Sequence, residues 1–136
     1  MMPTYATKGS AGADLYSTTM VDIEPGEWVA VPTGVTGTDV FGEDFKIQNY
    51  AALIMPRSGL ALNKGLTVLN APGVIDSDYT GEIKVILINH SNLIQTVFER
   101  DRVAQLVMVP YVVHDGWEIK SETRNGGFGS TGVNDD

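Results

Sequence analysis

The chain has 136 residues, 43% of them hydrophobic, with 9 Lys plus Arg against 17 Asp plus Glu, a formal charge of -8, two histidines and no cysteine. That length buries roughly two thirds of the unfolded chain's surface, enough for one domain and not for two, and the missing cysteine excludes disulfides, thiol nucleophiles and thiolate metal sites, while His90 and His114 alone do not make a zinc centre. The acidic balance is spread along the chain and argues against nucleic acid or an anionic membrane as partner, but leaves room for a small anionic ligand held by backbone N–H groups, a few cations and a divalent ion.

Met1 to Ser10 hold no basic stretch followed by an apolar run, and no window reaches the length of a membrane span, so the expected compartment is the cytoplasm. Next comes Gly12-Ala13-Asp14-Leu15-Tyr16, where Asp14 is either a turn residue or an acid that faces Mg²⁺ through water. Trp28 to Val31, Ala52 to Met55, Ile83 to Ile88 and Val103 to Val113 read as short strands rich in β-branched residues. No sustained 3.6-residue period occurs, and glycine or proline interrupts most windows long enough for a helix. Pro25-Gly26 and Asp115-Gly116 add turn signals, so a sandwich, jelly roll or small barrel is expected. Asp39 to Tyr50 reads as a polar excursion between strands, in which Phe45, Ile47 and Tyr50 can alternatively form an added hairpin.

Pro56-Arg57-Ser58-Gly59 leads into the one helix expected, near Ser58 to Lys64, with Ser58 as its cap. A guanidinium fork, a hydroxyl and an open backbone N–H suit a phosphate; a helix cap beside a surface arginine is the plainer reading. Gly73 to Glu82 holds Asp76 and Asp78, which share one face of an extended chain unless a turn at Tyr79 to Gly81 breaks the alternation. A carboxylate just outside an apolar strand either caps a turn or accepts a proton from an attacking water. Gln105 sits in the apolar run from Val103 to Val109, on a solvated face or as a half-buried amide needing partners. Gly126 to Asp136 has the composition of a flexible tail, yet it carries Phe128, an aromatic suited to closing over something flat. Trp28 and Trp117 are expected in the core or at an interface.

A nucleophile elbow, a phosphate-binding loop of the Gly-Lys-Ser type and a Rossmann fingerprint are all absent, which leaves direct attack by water. In order, Ala11 to Ser17, Pro56 to Ala61, Gly73 to Glu82, Asp101 to Leu106 and Gly126 to Gly132 resemble the five motifs of the homotrimeric dUTPase family, across nearly the whole chain.

The resemblance implies an all-β, jelly-roll-like fold, a distorted β-barrel with at most one short helix. Residues 1–122 would form the β-domain with motifs one to four, and 123–136 a flexible arm with motif five. Three copies would share their active sites, with motifs one, two and four from one chain, motif three from a neighbour and the arm from the third. The implied reaction is hydrolysis of dUTP to dUMP and pyrophosphate with Mg²⁺. Asp76 would activate the water that attacks the α-phosphorus, and Asp14 would hold waters of the metal shell. Arg57, Ser58, Gly59 and Gln105 would bind or position the phosphates, while Arg124, Gly129, Ser130 and Thr131 would engage the terminal phosphates from the arm. Asn70 would read the uracil edge from a β-hairpin whose backbone contributes, Gly73 and Lys84 would line the substrate, Tyr79 would lie against the deoxyribose, and Phe128 would stack on the base.

Departures from the family pattern are Arg100 where a glycine usually precedes Asp-Arg, Met55 where an arginine often stands, and a spacing from Arg124 to Phe128 that is one residue short. A longer segment between Gly34 and Pro56 is expected at the periphery. Rival readings are a dCTP deaminase-like nucleotide enzyme, and a nucleotide-binding regulatory or structural trimer that meets a protein partner through 39–50.

Overall fold

The computed structural model describes residues 1–43, 49–124, 126 and 128. Its first half carries β1 (Thr4–Tyr5), β2 (Gly12–Tyr16), β3 (Val21–Ile23), β4 (Trp28–Thr36), α1 (Gly37–Phe41), β5 (Tyr50–Met55) and α2 (Ser58–Lys64). β6 (Leu66–Val68), β7 (Gly73–Ile75), β8 (Glu82–Asn89), β9 (Gln95–Val97) and β10 (Arg102–Pro110) complete it. One sheet runs β1-β2-β10-β5-β7, a second runs β4-β8-β6, and β3 pairs with β9. Every strand pairing among the described residues is antiparallel. This is the all-β, jelly-roll-like architecture expected, with open rather than closed sheets.

The strands form because apolar side chains alternate and have a partner sheet to face. In β8, Ile83, Val85 and Leu87 are fully buried while Glu82, Lys84 and Ile86 are half-buried. They pack with Val31 and Val35 of β4 against Leu15, Ala52, Ile54, Val103, Ala104 and Leu106 of the larger sheet. β10 departs from strict alternation through a register shift between Arg102 and Ala104, which buries the neighbours Val103 and Ala104. A bulge of this kind re-aims the side chains beyond it. Here it brings Gln105 opposite Asp14 on one side and Met55 on the other.

Several expectations change. A second helix exists, α1, inside the segment expected to be a loop or hairpin. Thr36 Oγ1 accepts from the Asp39 N–H at 3.1 Å, and Asp39 Oδ2 accepts from the Thr36 N–H at 2.9 Å. That reciprocal cap offsets the cost of starting so short a helix. The segment is not wholly peripheral either, since Phe41 is 1% exposed in the core, a burial worth roughly 1.5 to 3 kcal/mol. Tyr50 opens β5, whereas Phe45 and Ile47 lie outside the described residues. The last strand stops at Pro110, not Val113; Val112 is 95% exposed. Trp28 and Trp117 are exposed on the single chain, which overturns only the core alternative of the two places expected for them.

α2 has the expected bounds, but Arg57 is its N-cap and Ser58 makes no capping bond; Gly65, left-handed at φ 65°, ends it. Asn70 is not in a hairpin of paired strands. β6 before it joins β8, whereas β7 after it joins β5.

Candidate active site

Two recesses gather most of the residues singled out in the sequence, and their linings share none. The first, about 290 Å³, is lined by Ala6, Ser10, Ala11, Gly12, Asp14, Arg57, Ser58 and Gln105. Asp14 lies in β2 between Thr4 of β1 and Gln105 of β10, so ladders on both sides fix its backbone. Extended geometry at Arg57 turns the chain from β5 into α2, and its Nε donates to Asp14 Oδ1 at 2.9 Å. Asp14 is 8% exposed. An acid so placed needs a partner, and the guanidinium supplies one. Gln105 Nε2 donates to the Pro56 carbonyl at 3.0 Å, which answers the question its sequence position raised: the amide is half-buried and bonded. A Cβ at Gly12 would stand 2.2 Å from Gln105 Oε1, so a larger residue there would push the amide out of this position. Gly59 comes next in the first turn of α2, open enough that an added Cβ would meet nothing within 4 Å.

The second recess, about 180 Å³, is lined by Ile54, Asn70, Gly73, Val74, Ile75, Asp76, Tyr79, Glu82, Ile83, Lys84, Arg124 and Phe128. Its acid comes immediately after the edge strand β7. The chain then turns, with the Tyr79 N–H donating to the Asp76 carbonyl at 3.0 Å, so extended alternation ends at Asp76 itself. Asp76 and Asp78 nevertheless converge, because Arg124 joins them. Its Nε donates to Asp78 Oδ1 at 2.7 Å and its Nη2 donates to Asp76 Oδ2. The Asp78 hydrogen bond, together with the fields of both carboxylates, outweighs desolvation and raises the guanidinium above its ordinary pKa. Tyr79 directs its hydroxyl to the Glu82 carbonyl at 2.6 Å, which fixes its ring along the cleft wall. Phe128 is 62% exposed at the same cleft.

The sequence-derived residues therefore fall into two groups: Asp14, Arg57, Ser58 and Gln105 in one recess, with Gly59 beside it, and Asp76, Asn70, Gly73, Tyr79, Lys84, Arg124 and Phe128 in the other. Gly129, Ser130 and Thr131 lie outside the described residues. Asp78 as a partner of Arg124 was missed, since 46 residues separate them; no local pattern signals such a pair.

Among the described residues no cluster of three or more His, Cys, Asp or Glu could cage a metal ion. The donor set suits Mg²⁺ in a different way. This ion keeps several waters and takes one or two carboxylates plus substrate phosphates, and Asp14 Oδ2 is the acceptor that remains after Oδ1 has met Arg57.

Comparison with known proteins agrees with the five-motif pattern. Residues 1–132 match the dUTPase family model. The deoxyuridine 5'-triphosphate nucleotidohydrolase of Nautilia profundicola is 47% identical over 136 residues, covering 97% of this chain and 91% of that one. The dUTPase of Streptococcus mutans superposes with a TM-score of 0.74 at 29% identity, over 85% of this chain and 89% of that one. The dUTPase of phage phi11 of S. aureus, in which a structural Mg(II) ion is coordinated, shares the fold with a TM-score of 0.71 at 23% identity, over 90% and 91%.

Proposed function

The chain belongs to the dUTPase family, and from that premise we propose how its two recesses divide the work on dUTP. The protein is a dUTP diphosphatase, which hydrolyses dUTP to dUMP and pyrophosphate. The observation that carries the mechanism is the Asp76 carboxylate on a tight turn beside Asn70, Tyr79 and Phe128 in one cleft. Asp76 accepts a proton from a water whose oxygen bonds to the α-phosphorus; the bond from that phosphorus to the bridging oxygen breaks, and pyrophosphate leaves. Asn70 presents its amide to the uracil edge, Phe128 covers the ring, and Tyr79 lies along the deoxyribose. Gly73 and Lys84 contribute cleft wall.

Arg57, Ser58, Gly59 and Gln105 supply donors to the phosphates, and phosphoryl transfer depends mostly on such positioning. Asp14 accepts from waters around Mg²⁺. When bound, the ion draws charge from the phosphate oxygens and eases attack on phosphorus. Arg124, in the segment 123–136 that acts as an arm with Gly129, Ser130 and Thr131, exchanges its carboxylate partners for the terminal phosphates, and the exchange frees Asp76 to take its proton.

Disjoint linings on one chain support a homotrimer in which the phosphate recess of one copy meets the nucleoside cleft of another, although Arg124 and Phe128 line the motif-three cleft of their own chain here, not that of a different copy as expected of the arm. The absence of any helix long and apolar enough to cross a membrane among the described residues is compatible with a cytoplasmic enzyme.

The test is pyrophosphate release from dUTP, dTTP, dCTP and UTP, with and without Mg²⁺, by the wild type and Asp76→Asn. The expected result is release from dUTP alone, dependent on the ion, and a variant that binds dUTP but loses most of the rate. A variant that keeps the wild-type rate overturns the role of Asp76.

A further inference from the structure

Tyr79 is gripped from two directions, and one grip comes from outside the motif that contains it. Gly37, the first residue of α1, is buried and donates its N–H to the Gly81 carbonyl at 2.9 Å. A Cβ on Gly37 would stand 1.7 Å from the Tyr79 carbonyl oxygen, 2.6 Å from its carbon and 3.2 Å from Cδ2 of the ring. No rotamer change can relieve a clash with backbone. At the other end of the side chain, a Cβ on Gly81 would stand 2.7 Å from the Tyr79 hydroxyl and 2.9 Å from Cζ. That hydroxyl cannot swing away without giving up its 2.6 Å bond to the Glu82 carbonyl. α1 in turn is anchored by Phe41, 1% exposed, and by its reciprocal cap.

We propose that Gly37 and Gly81 are positioning residues that clamp Tyr79 and thereby set the discrimination between deoxyribose and ribose. The inference rests on the reading of Tyr79 as the residue against the sugar. Rejecting a substrate that merely carries one more hydroxyl is hard for an apolar wall, because a wall that gives way admits the extra atom. A ring held at its backbone and at its hydroxyl has little freedom to retreat. The absence of a Cβ at both glycines lets the clamp close onto the tyrosine without displacing it. Helix α1, whose sequence looks unrelated to the site, thereby becomes the back wall of the sugar contact.

The experiment measures kcat/KM for dUTP, UTP and dTTP in the wild type, Gly37→Ala, Gly81→Ala, Tyr79→Ala and Gly9→Ala, the last at a position where a Cβ meets nothing within 4 Å. Gly37→Ala is expected to lower the preference for dUTP over UTP by about tenfold while the preference for dUTP over dTTP holds, a split that a merely structural loss would not produce. Gly81→Ala should act in the same direction, and it carries the test if Gly37→Ala does not fold. The proposal is overturned if Tyr79→Ala relaxes sugar selectivity while both glycine variants keep the wild-type ratio or lose all substrates equally. It falls together with the reading of Tyr79 if Tyr79→Ala leaves the UTP ratio untouched, and that outcome is distinguishable from the first. Gly9→Ala should match the wild type throughout.

Discussion

The recess around Asp14 and the cleft around Asp76 hold their polar groups by different means. Asp14 and Gln105 face each other across neighbouring strands in the interior of the five-stranded sheet, with β1 beyond the one and β5 beyond the other. Asp76 stands just past the edge strand β7, at a turn and beside a tail arginine, and the two glycines that leave no slack press on Tyr79 in the same cleft. Geometry in the first recess is therefore a property of the sheet and costs stability to disturb. In the second, the ion pairs of Asp76, Asp78 and Arg124 lie half-exposed outside the sheet and can be changed at little cost to the fold. On the proposed assignment of phosphates to the first recess and nucleoside to the second, an enzyme that must bind any triphosphate in one way but read one base and one sugar benefits from that division.

Substitutions can break this contrast or sharpen it. Asp76→Asn should have the largest effect, lowering kcat by roughly 10² to 10⁴-fold, while Tm stays put because its side chain is 53% exposed. A large fall in Tm would show that the cleft is as integral to the fold as the sheet. Arg57→Ala should do the reverse in kind: it leaves Asp14 without its charged donor and destabilises the fold by about 1 to 3 kcal/mol, seen as a lower urea midpoint, together with weaker dUTP turnover. Arg124→Ala should change stability by no more than about 0.5 kcal/mol, because its two acceptors are 53% and 45% exposed. Its kcat/KM for dUTP should nevertheless drop by about tenfold or more, as expected for one charge-assisted contact to phosphate.

The smallest effect concerns a turn that lines neither recess. Arg100 has φ 73°, the left-handed region, and is held there by its N–H to the Ser17 carbonyl at 2.8 Å while the Ser17 N–H donates to the Asp101 carbonyl at 2.9 Å. A side chain in that conformation costs about 1 to 2 kcal/mol, and glycine's extra chain entropy cancels about half of the relief. Arg100→Gly should therefore raise stability by about 0.5 to 1 kcal/mol and leave kcat unchanged, measurable by thermal denaturation.

Arg100 also illustrates what sequence could and could not tell. Its departure from the family pattern was legible, but not that the turn survives with the arginine forced left-handed. The four main strands and α2 were legible because branched residues and turn signals speak locally. α1 was overlooked although Thr36-x-x-Asp39 before Val40-Phe41 is a capping signature; glycines at 37 and 42 and the surrounding polar residues masked it. Within the site, the motifs named Asp14, Arg57, Asp76 and Arg124. That Asp14 meets Arg57, 43 residues away, and that Arg124 meets Asp76 and Asp78 are tertiary facts with no local trace. Gly37 behind Tyr79 is of the same kind.

Because the two linings have no residue in common, damage to one leaves the other whole on the same chain. If each working site joins the recess of one copy to the cleft of the next, two impaired proteins can repair each other. Trimers assembled at random from equal amounts of Asp76→Asn and Arg57→Ala chains would pair an intact recess with an intact cleft at roughly a quarter of their sites. Unfolding and refolding the mixture together should then give more activity than either parent has alone, and a cell with two differently defective alleles would keep more of this enzyme's activity than either allele supplies by itself.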